Sequence, residues 1–325
     1  VISIVTASDD GYIHHLAGML HSASLYHPEA RYFLLDNAIS ADNADKLCGF
    51  AAASGIDLTL LPCASLLRDR LNTRLTTYAR LMIPQVLGEE VGRCLYIDAD
   101  TNITGSLEDL FCSDMGDCPV AATKDIANSD LMTKESALHG VELGRDYFNA
   151  GMMLIDLRRW RAENIADKAI DYANRHPERM VFWDQSTLNK VLYLRNRPID
   201  PMWNFFHWSD ARKLSEPPRI VHYTTLPKPP QWPESPFAEL YKFHRDQTPW
   251  PFERLLPARK NWFKEKRTLV GAALGIEKWR RRRESEELLE YIRRELADPA
   301  LIRARALSRA QKRESPAGAD LSVVS

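Results

Sequence analysis

Cysteine is scarce: Cys48, Cys63, Cys94, Cys112 and Cys118 are odd in number and contain no C-x-x-C pair. That usage offers no disulfide framework and points to a reducing compartment. No window reaches 18 consecutive apolar residues, so no membrane-spanning helix is expected. The opening Val1-Ile2-Ser3-Ile4-Val5 lacks the basic start and the length of a signal peptide, which argues against secretion; the chain begins without Met, and a short N-terminal piece could precede it. There is no G-x-G-x-x-G, which excludes the dinucleotide fingerprint, and no Gly-rich phosphate loop of the kind a nucleotidyltransferase wants. Internal repeats are absent too.

What remains is a chain of 325 residues, 45% hydrophobic and 27% charged, long enough to bury a core. Its net charge of −1 hides an asymmetry. Residues 251–314 hold 18 Lys+Arg against 10 Asp+Glu, whereas residues 1–250 hold 25 against 33. An acidic body therefore carries a basic tail. The expected organisation is a catalytic domain over 1–250, a basic amphipathic helical region over 251–314 and a disordered tail over 315–325.

Along the first hundred residues short apolar runs alternate with helical patterns, the layout of strand-helix-strand units on a mostly parallel sheet. Strands are expected at Ile2–Thr6, Arg31–Leu35, Asp57–Leu61 and Arg93–Ile97. Tyr12, Leu16, Met19, Leu20 and Ala23 recur at helical spacing, as do Ala44, Leu47 and Ala51 behind a candidate cap, Asp42. A helix is expected over Thr76–Val86, broken near Pro84. Two further strands, Val120–Thr123 and Gly151–Ile155, precede helices at Ile165–His176 and Trp183–Leu192. Asp200–Trp232 reads as a Pro-rich functional loop or lid around one short strand, Arg219–His222.

Within this frame, Leu95-Tyr96-Ile97-Asp98-Ala99-Asp100 places two carboxylates at the end of an apolar strand, where both can reach one hard cation such as Mn²⁺ or Mg²⁺. A lone D-x-D is more often a turn that caps the next segment; the strand ahead of it favours the cation. His222 ends a strand and Lys228 comes six residues later, an imidazole and an ammonium suited to a metal-diphosphate, or simply surface residues of a Pro-rich loop. Ala7-Ser8-Asp9-Asp10-Gly11-Tyr12 lies between the first strand and helix. There a carboxylate can accept a uracil N–H and Tyr12 can stack on the base, while Asp9 or Asp10 can equally cap the helix. Tyr147-Phe148-Asn149-Ala150-Gly151 and Asp184-Gln185 offer amides and a carboxylate for sugar hydroxyls.

Taken in order, Ala7–Tyr12, Thr77–Leu81, Tyr96–Asp100, Phe148–Trp160, Trp183–Leu188 and His222–Lys228 resemble glycosyltransferase family 8, in particular the bacterial lipopolysaccharide galactosyl- and glucosyltransferases, over about residues 1 to 235. The resemblance implies a GT-A α/β fold, with a Rossmann-like, mostly parallel sheet flanked by helices. It further implies retaining transfer of galactose or glucose from a UDP-sugar with Mn²⁺ to a glycan or lipid-linked glycan, such as a lipopolysaccharide core. By that likeness Asp98, Asp100 and His222 hold the metal, and Lys228 holds the diphosphate. Ala7, Asp9, Asp10, Tyr12 and Ala99 would line the nucleotide, Arg80 would approach phosphates and sugar, and Asp125, Asn149, Ala150, Asp184 and Gln185 would surround the hexose. Gln185, Asp184, Arg80 and Lys228 become the candidate catalytic groups.

Two positions depart from the family pattern. Gly11 stands where Asn is common, and Thr224-Thr225 stand where Gly is common after the His. A catalytically inactive nucleotide- or glycan-binding member is the competing expectation.

The tail mixes Trp262, Phe263, Trp279, Leu288, Leu289, Tyr291 and Ile292 with clustered Lys and Arg. It suits either an anionic membrane surface or self-packed helices with solvated charges. Nucleic acid is not an expected partner, since the body is acidic and no recognised module is present. The expected location is cytoplasmic, at the inner face of the inner membrane if the tail binds lipid.

Overall fold

The protein is described from a computed structural model over residues 1–71, 76–125, 137–140, 147–206, 217–224, 237–251, 290, 294 and 297–314, the last helix with side chains to residue 308. Its strands are β1 (Ser3–Ser8), β2 (Arg31–Asp36), β3 (Asp57–Pro62), β4 (Arg93–Ile97), β5 (Thr101–Ile103), β6 (Val120–Lys124), β7 (Phe148–Asp156), β8 (Asn196–Pro198) and β9 (Ile220–His222). Seven of them form one sheet in the order β3-β2-β1-β4-β7-β6-β8. The β1–β2, β2–β3, β1–β4 and β6–β8 pairings are parallel, and β7 runs antiparallel to both β4 and β6. The mostly parallel α/β sheet expected from sequence is therefore present.

Alternation along the strands divides the core between the two faces of this sheet. Val5, Phe33, Cys94, Tyr96, Met153 and Ile155 pack on one side with Trp160 and Leu188. Ile4, Leu34, Leu95, Ile97, Met152 and Leu154 pack on the other with Leu16, Leu20 and Leu47. Strands buried on both faces read as unbroken apolar runs; β1 to β4, β6 and β9 lie within two residues of the expected spans, whereas β7 starts at Phe148, three residues before the expected Gly151, and β5 and β8 were not expected.

The helices are α1 (Ile13–Tyr26), α2 (Ala41–Ala53), α3 (Ala64–Leu71), α4 (Ile83–Val86), α5 (Glu108–Phe111), α6 (Leu157–Ala162), α7 (Ile165–Arg175), α8 (Asp184–Val191), α9 (Ala238–Asp246) and α10 (Pro299–Glu314). Two local expectations change. Ser40, not Asp42, occupies the N-cap position of α2, with Asp42 in its first turn. Thr76–Val86 is a 3-10 turn over Thr76–Met82 followed by α4, and Pro84 lies in the first turn of α4, where its missing N–H costs nothing.

One element positions the site from a distance in sequence. A second, two-stranded sheet pairs β5 with β9 antiparallel, Thr101 opposite His222, so that a segment more than a hundred residues downstream lies beside the end of β4. Part of the basic C-terminal stretch is also placed: α10 packs on α1, burying Ile302 and Ala306, and Arg303 donates to the carbonyl of Ser54 at 2.7 Å. Trp262, Phe263, Trp279, Leu288, Leu289, Tyr291, Ile292 and the expected disordered tail lie outside the described residues. Among the described residues no helix is long and apolar enough to cross a membrane.

Candidate functional site

The order β3-β2-β1-β4 reverses direction at β1 and β4, and ligands of open α/β sheets bind beyond the strand ends at such a reversal. A cavity of about 290 Å³ opens there, lined by Ala7 and Asp9 after β1, Tyr12, Thr76, Arg80, Asp98, Ala99, Asp100 and Trp183. Asp9 accepts the Tyr12 backbone N–H at 3.1 Å and the Thr76 hydroxyl at 2.6 Å, so it caps the local turn and faces the cavity at once. Asp10 behaves differently. Its carboxylate accepts from Asn43 Nδ2, Ser40 N and Ser40 Oγ at 2.7–2.9 Å, bonds that hold its pKa below the usual value and brace the start of α2 instead of lining the cavity.

Asp98, Asp100 and His222 converge. One ligand atom from each lies within 4.8 Å of the others, with His222 Nε2 3.3 Å from Asp100 Oδ1 and 3.7 Å from Asp98 Oδ2. The β5–β9 pairing and a bond from Tyr223 N to the Asp100 carbonyl, 2.9 Å, set this register. Gly151 makes room: a Cβ built on it would sit 2.1 Å from His222 Cε1 and 2.7 Å from Asp98 Oδ2. Two carboxylates and an imidazole crowded over a glycine that no side chain can replace form a donor set that fits Mn²⁺, and also Mg²⁺.

Arg80 ties this cluster to Asp184. Only 4% exposed, it pairs with Asp98 at 2.9 Å and Asp184 at 2.9 Å, donates to the Ala150 and Thr77 carbonyls, and stacks over Tyr96 at 4.4 Å. Burial works against its charge, but the carboxylates of Asp184 and Asp98 outweigh burial and hold its pKa above the ordinary value. Asp184 yields in the other direction. Burial, aided by the nearby charge of Asp98 and opposed by Arg80, pushes its carboxyl up to about 6. Tyr96 donates its hydroxyl to Asp98 at 2.8 Å and fixes that carboxylate from below.

Asp125, Asn149, Ala150 and Gln185 are also brought together. Asp125 Oδ2 accepts from Asn149 Nδ2 at 3.1 Å and Gln185 Nε2 at 3.0 Å, and Gln185 Oε1 accepts the Ala150 N–H at 3.0 Å. Lys228 lies outside the described residues, as does Thr225.

Several residues escaped the sequence reading. Asn204 bonds to His222 and Asn149, yet nothing in Met202-Trp203-Asn204-Phe205 signals a link to a histidine 18 positions away. Trp183 entered only as the first residue of an expected helix and of a segment that carries the family resemblance. It is half exposed on the cavity wall and holds φ +49°, a strained conformation for a bulky residue.

Comparison with known proteins gives concordant matches. The model of glycosyl transferase family 8 matches residues 3–233. General stress protein A of Bacillus subtilis is 27% identical over 277 residues, spanning 77% of this chain and 95% of that protein. The lipopolysaccharide 1,3-galactosyltransferase of Salmonella typhimurium is 30% identical over 218 residues, which span 63% of this chain and 64% of the enzyme. Among solved structures, the galactosyltransferase LgtC in complex with donor and acceptor sugar analogs matches with a TM-score of 0.68 at 23% identity, covering 81% of this chain and all of that one, a likeness of fold.

Proposed function

This chain belongs to glycosyl transferase family 8 and has the GT-A type of fold, and from that premise we propose that it transfers a hexose, galactose or glucose, from a UDP-sugar to a glycan acceptor with retention of configuration. The observation that carries the proposal is the convergence of Asp98, Asp100 and His222 over Gly151 at the mouth of the cavity. Asp98, Asp100 and His222 would hold Mn²⁺ (or Mg²⁺), which when bound would supply charge neutralisation for a nucleoside diphosphate leaving group.

The chain's own residues account for the rest of the reading. Asp9 and Tyr12 take the uracil end, and Lys228 takes the diphosphate by family position. Arg80, fixed by Asp98 and Asp184, supplies a pre-oriented positive charge near the leaving phosphate without reorganising during reaction. Asp125, Asn149, Ala150, Asp184 and Gln185 surround the hexose. Gln185 is an amide whose two ends are engaged by Ala150 and Asp125, a poor nucleophile. Retention then proceeds by same-face attack, with the leaving phosphate oxygen taking the acceptor proton.

A lipopolysaccharide or lipooligosaccharide core is the proposed acceptor, by analogy with the Salmonella relative. A cytoplasmic enzyme whose residues 251–314 touch an anionic membrane surface would meet such an acceptor. Deleting residues beyond 251 should abolish sedimentation with anionic liposomes; unchanged sedimentation removes the tail as the anchor. The activity itself is tested by UDP release from a panel of UDP-hexoses, with Mn²⁺ and with chelator. Metal-dependent release from UDP-galactose or UDP-glucose is the expected result. Nucleotide binding with no release from any donor would replace the proposal with an inactive binding member.

A further inference from the structure

We infer that Asn204 is a positioning residue that fixes the tautomer of His222, through a relay of side-chain amides anchored on Asp125. The inference rests on the reading of Asp98, Asp100 and His222 as a cation site.

The direction of the relay is set by which groups can donate. Asp125 accepts from Asn149 Nδ2 at 3.1 Å, which turns Asn149 Oδ1 the other way. A second, independent donor confirms that orientation: the backbone N–H of Gly151 donates to Asn149 Oδ1 at 3.0 Å, and a backbone N–H has no alternative role. Asn149 Oδ1 also faces Asn204 Nδ2 at 2.9 Å, so Asn204 presents its own Oδ1 to His222 Nδ1, again at 2.9 Å. An amide oxygen only accepts. His222 Nδ1 therefore carries a proton, and in the neutral ring the Nε2 lone pair faces Asp98 and Asp100. Two backbone bonds hold this arrangement, His222 N to the Phe205 carbonyl and Phe205 N to the Ile220 carbonyl, each 2.9 Å. Asn204 is 1% exposed and His222 4%, so water does not compete for these contacts.

The consequence concerns a rival hydrogen bond. At 3.3 Å from Asp100 Oδ1, a protonated Nε2 would donate to that carboxylate and close the site with the ligand atom capped by its own proton. For the neutral ring the relay removes this option. It leaves a lone pair aimed at two carboxylates, a geometry open to a cation, and partners of this kind on a ligating histidine influence metal affinity about 10–100-fold.

The test uses the full chain with histidine labelled by ¹⁵N. Long-range ¹H–¹⁵N spectra of the metal-free protein report the His222 tautomer, assigned by its loss in His222→Ala, and calorimetry with MnCl₂ reports affinity. Wild type should show Nδ1–H. Asn204→Leu should shift the imidazole to Nε2–H and weaken Mn²⁺ about 10–100-fold. Asn204→Asp, which keeps an acceptor, should retain Nδ1–H and lose less affinity, and it serves if the Leu variant fails to fold. An Nε2–H signal in wild type, or weakened binding in Asn204→Leu with the tautomer unchanged, overturns the inference while leaving the cation site intact. An Nδ1–H wild type whose Mn²⁺ affinity His222→Ala does not alter would overturn the cation site itself, and the role of Asn204 with it.

Discussion

The two ends of the cleft use the same kinds of side chain differently. At one end Asp98, Asp100 and His222 bring ligand atoms to within 4.8 Å of one another. At the other, Asp125, Asn149 and Gln185 bond to one another and to the backbone of β7. Arg80 spans the two, paired with Asp98 on one side and Asp184 on the other. The first end concentrates like charge that a cation would relieve; the second is a satisfied network that stiffens the wall against which a sugar would lie. The contrast teaches that a polar residue in a site can serve the ligand or serve the site's shape. Mutation should separate the two.

The largest effect is expected at the first end. Asp100→Asn removes a charged donor but keeps the volume, so metal-dependent UDP release should fall about 10²–10³-fold. The urea midpoint of the metal-free protein should change far less than the activity, because Asn keeps the volume and hydrogen-bonding capacity of the side chain. A variant that keeps its turnover, or loses stability in step with activity, would erase the distinction between the ends.

Asp125→Leu probes the second end. Asp125 is 9% exposed, and its loss strands the amide donors of Asn149 and Gln185. An unsatisfied buried donor costs about 1–3 kcal/mol, and of the two only Asn149 is buried, so a loss of about 1–3 kcal/mol is expected in denaturant unfolding without metal. Asp125→Asn retains one acceptor oxygen and should lose less. Wild-type stability in the Leu variant would mean that these amides find other partners and that the second end is not scaffold.

How much of this was legible in the sequence also divides between the ends. Asp98 and Asp100 could be found because an apolar run, Cys94 to Ile97, announces a buried strand and so fixes where its C-terminal carboxylates point. His222 was found by its own short strand and by the family resemblance, although its partner β5 is three residues long and gave no periodic signal. Asn204 was not legible at all. It sits after a 3-10 turn over Pro201–Trp203, and its function comes from one tertiary bridge, Phe205 to Val221, that no local pattern encodes. Asp10 shows the converse. The family resemblance grouped it with Asp9 at the nucleotide, but Ser40 and Asn43, thirty residues on, engage its carboxylate. Local pattern locates strands and their ends; which of two neighbouring carboxylates faces the ligand depends on contacts made only after folding.

The smallest effect expected is a pH dependence where the two ends meet. Asp98 and Asp184 share one guanidinium, and the buried Asp184 has its carboxyl raised from 3.8 to about 6, by burial first and by the charge of Asp98 in addition, against the pull of Arg80. A carboxyl that binds its proton more tightly when folded favours the native state at low pH. That contribution is complete below about pH 4 and is lost as pH rises through about 6. The loss is at most on the order of 3 kcal/mol, spread over roughly two pH units. Asp184→Asn has no proton to release there. Its stability relative to wild type, measured by urea unfolding of metal-free protein, should therefore improve by up to that amount between pH 4 and 7, on top of a constant difference between an amide and a protonated carboxyl beside Arg80. A difference that stays flat across the window would show that Arg80 keeps both carboxylates ionised. The two ends would then be electrostatically independent, and Arg80 would be a brace for each rather than the link between them.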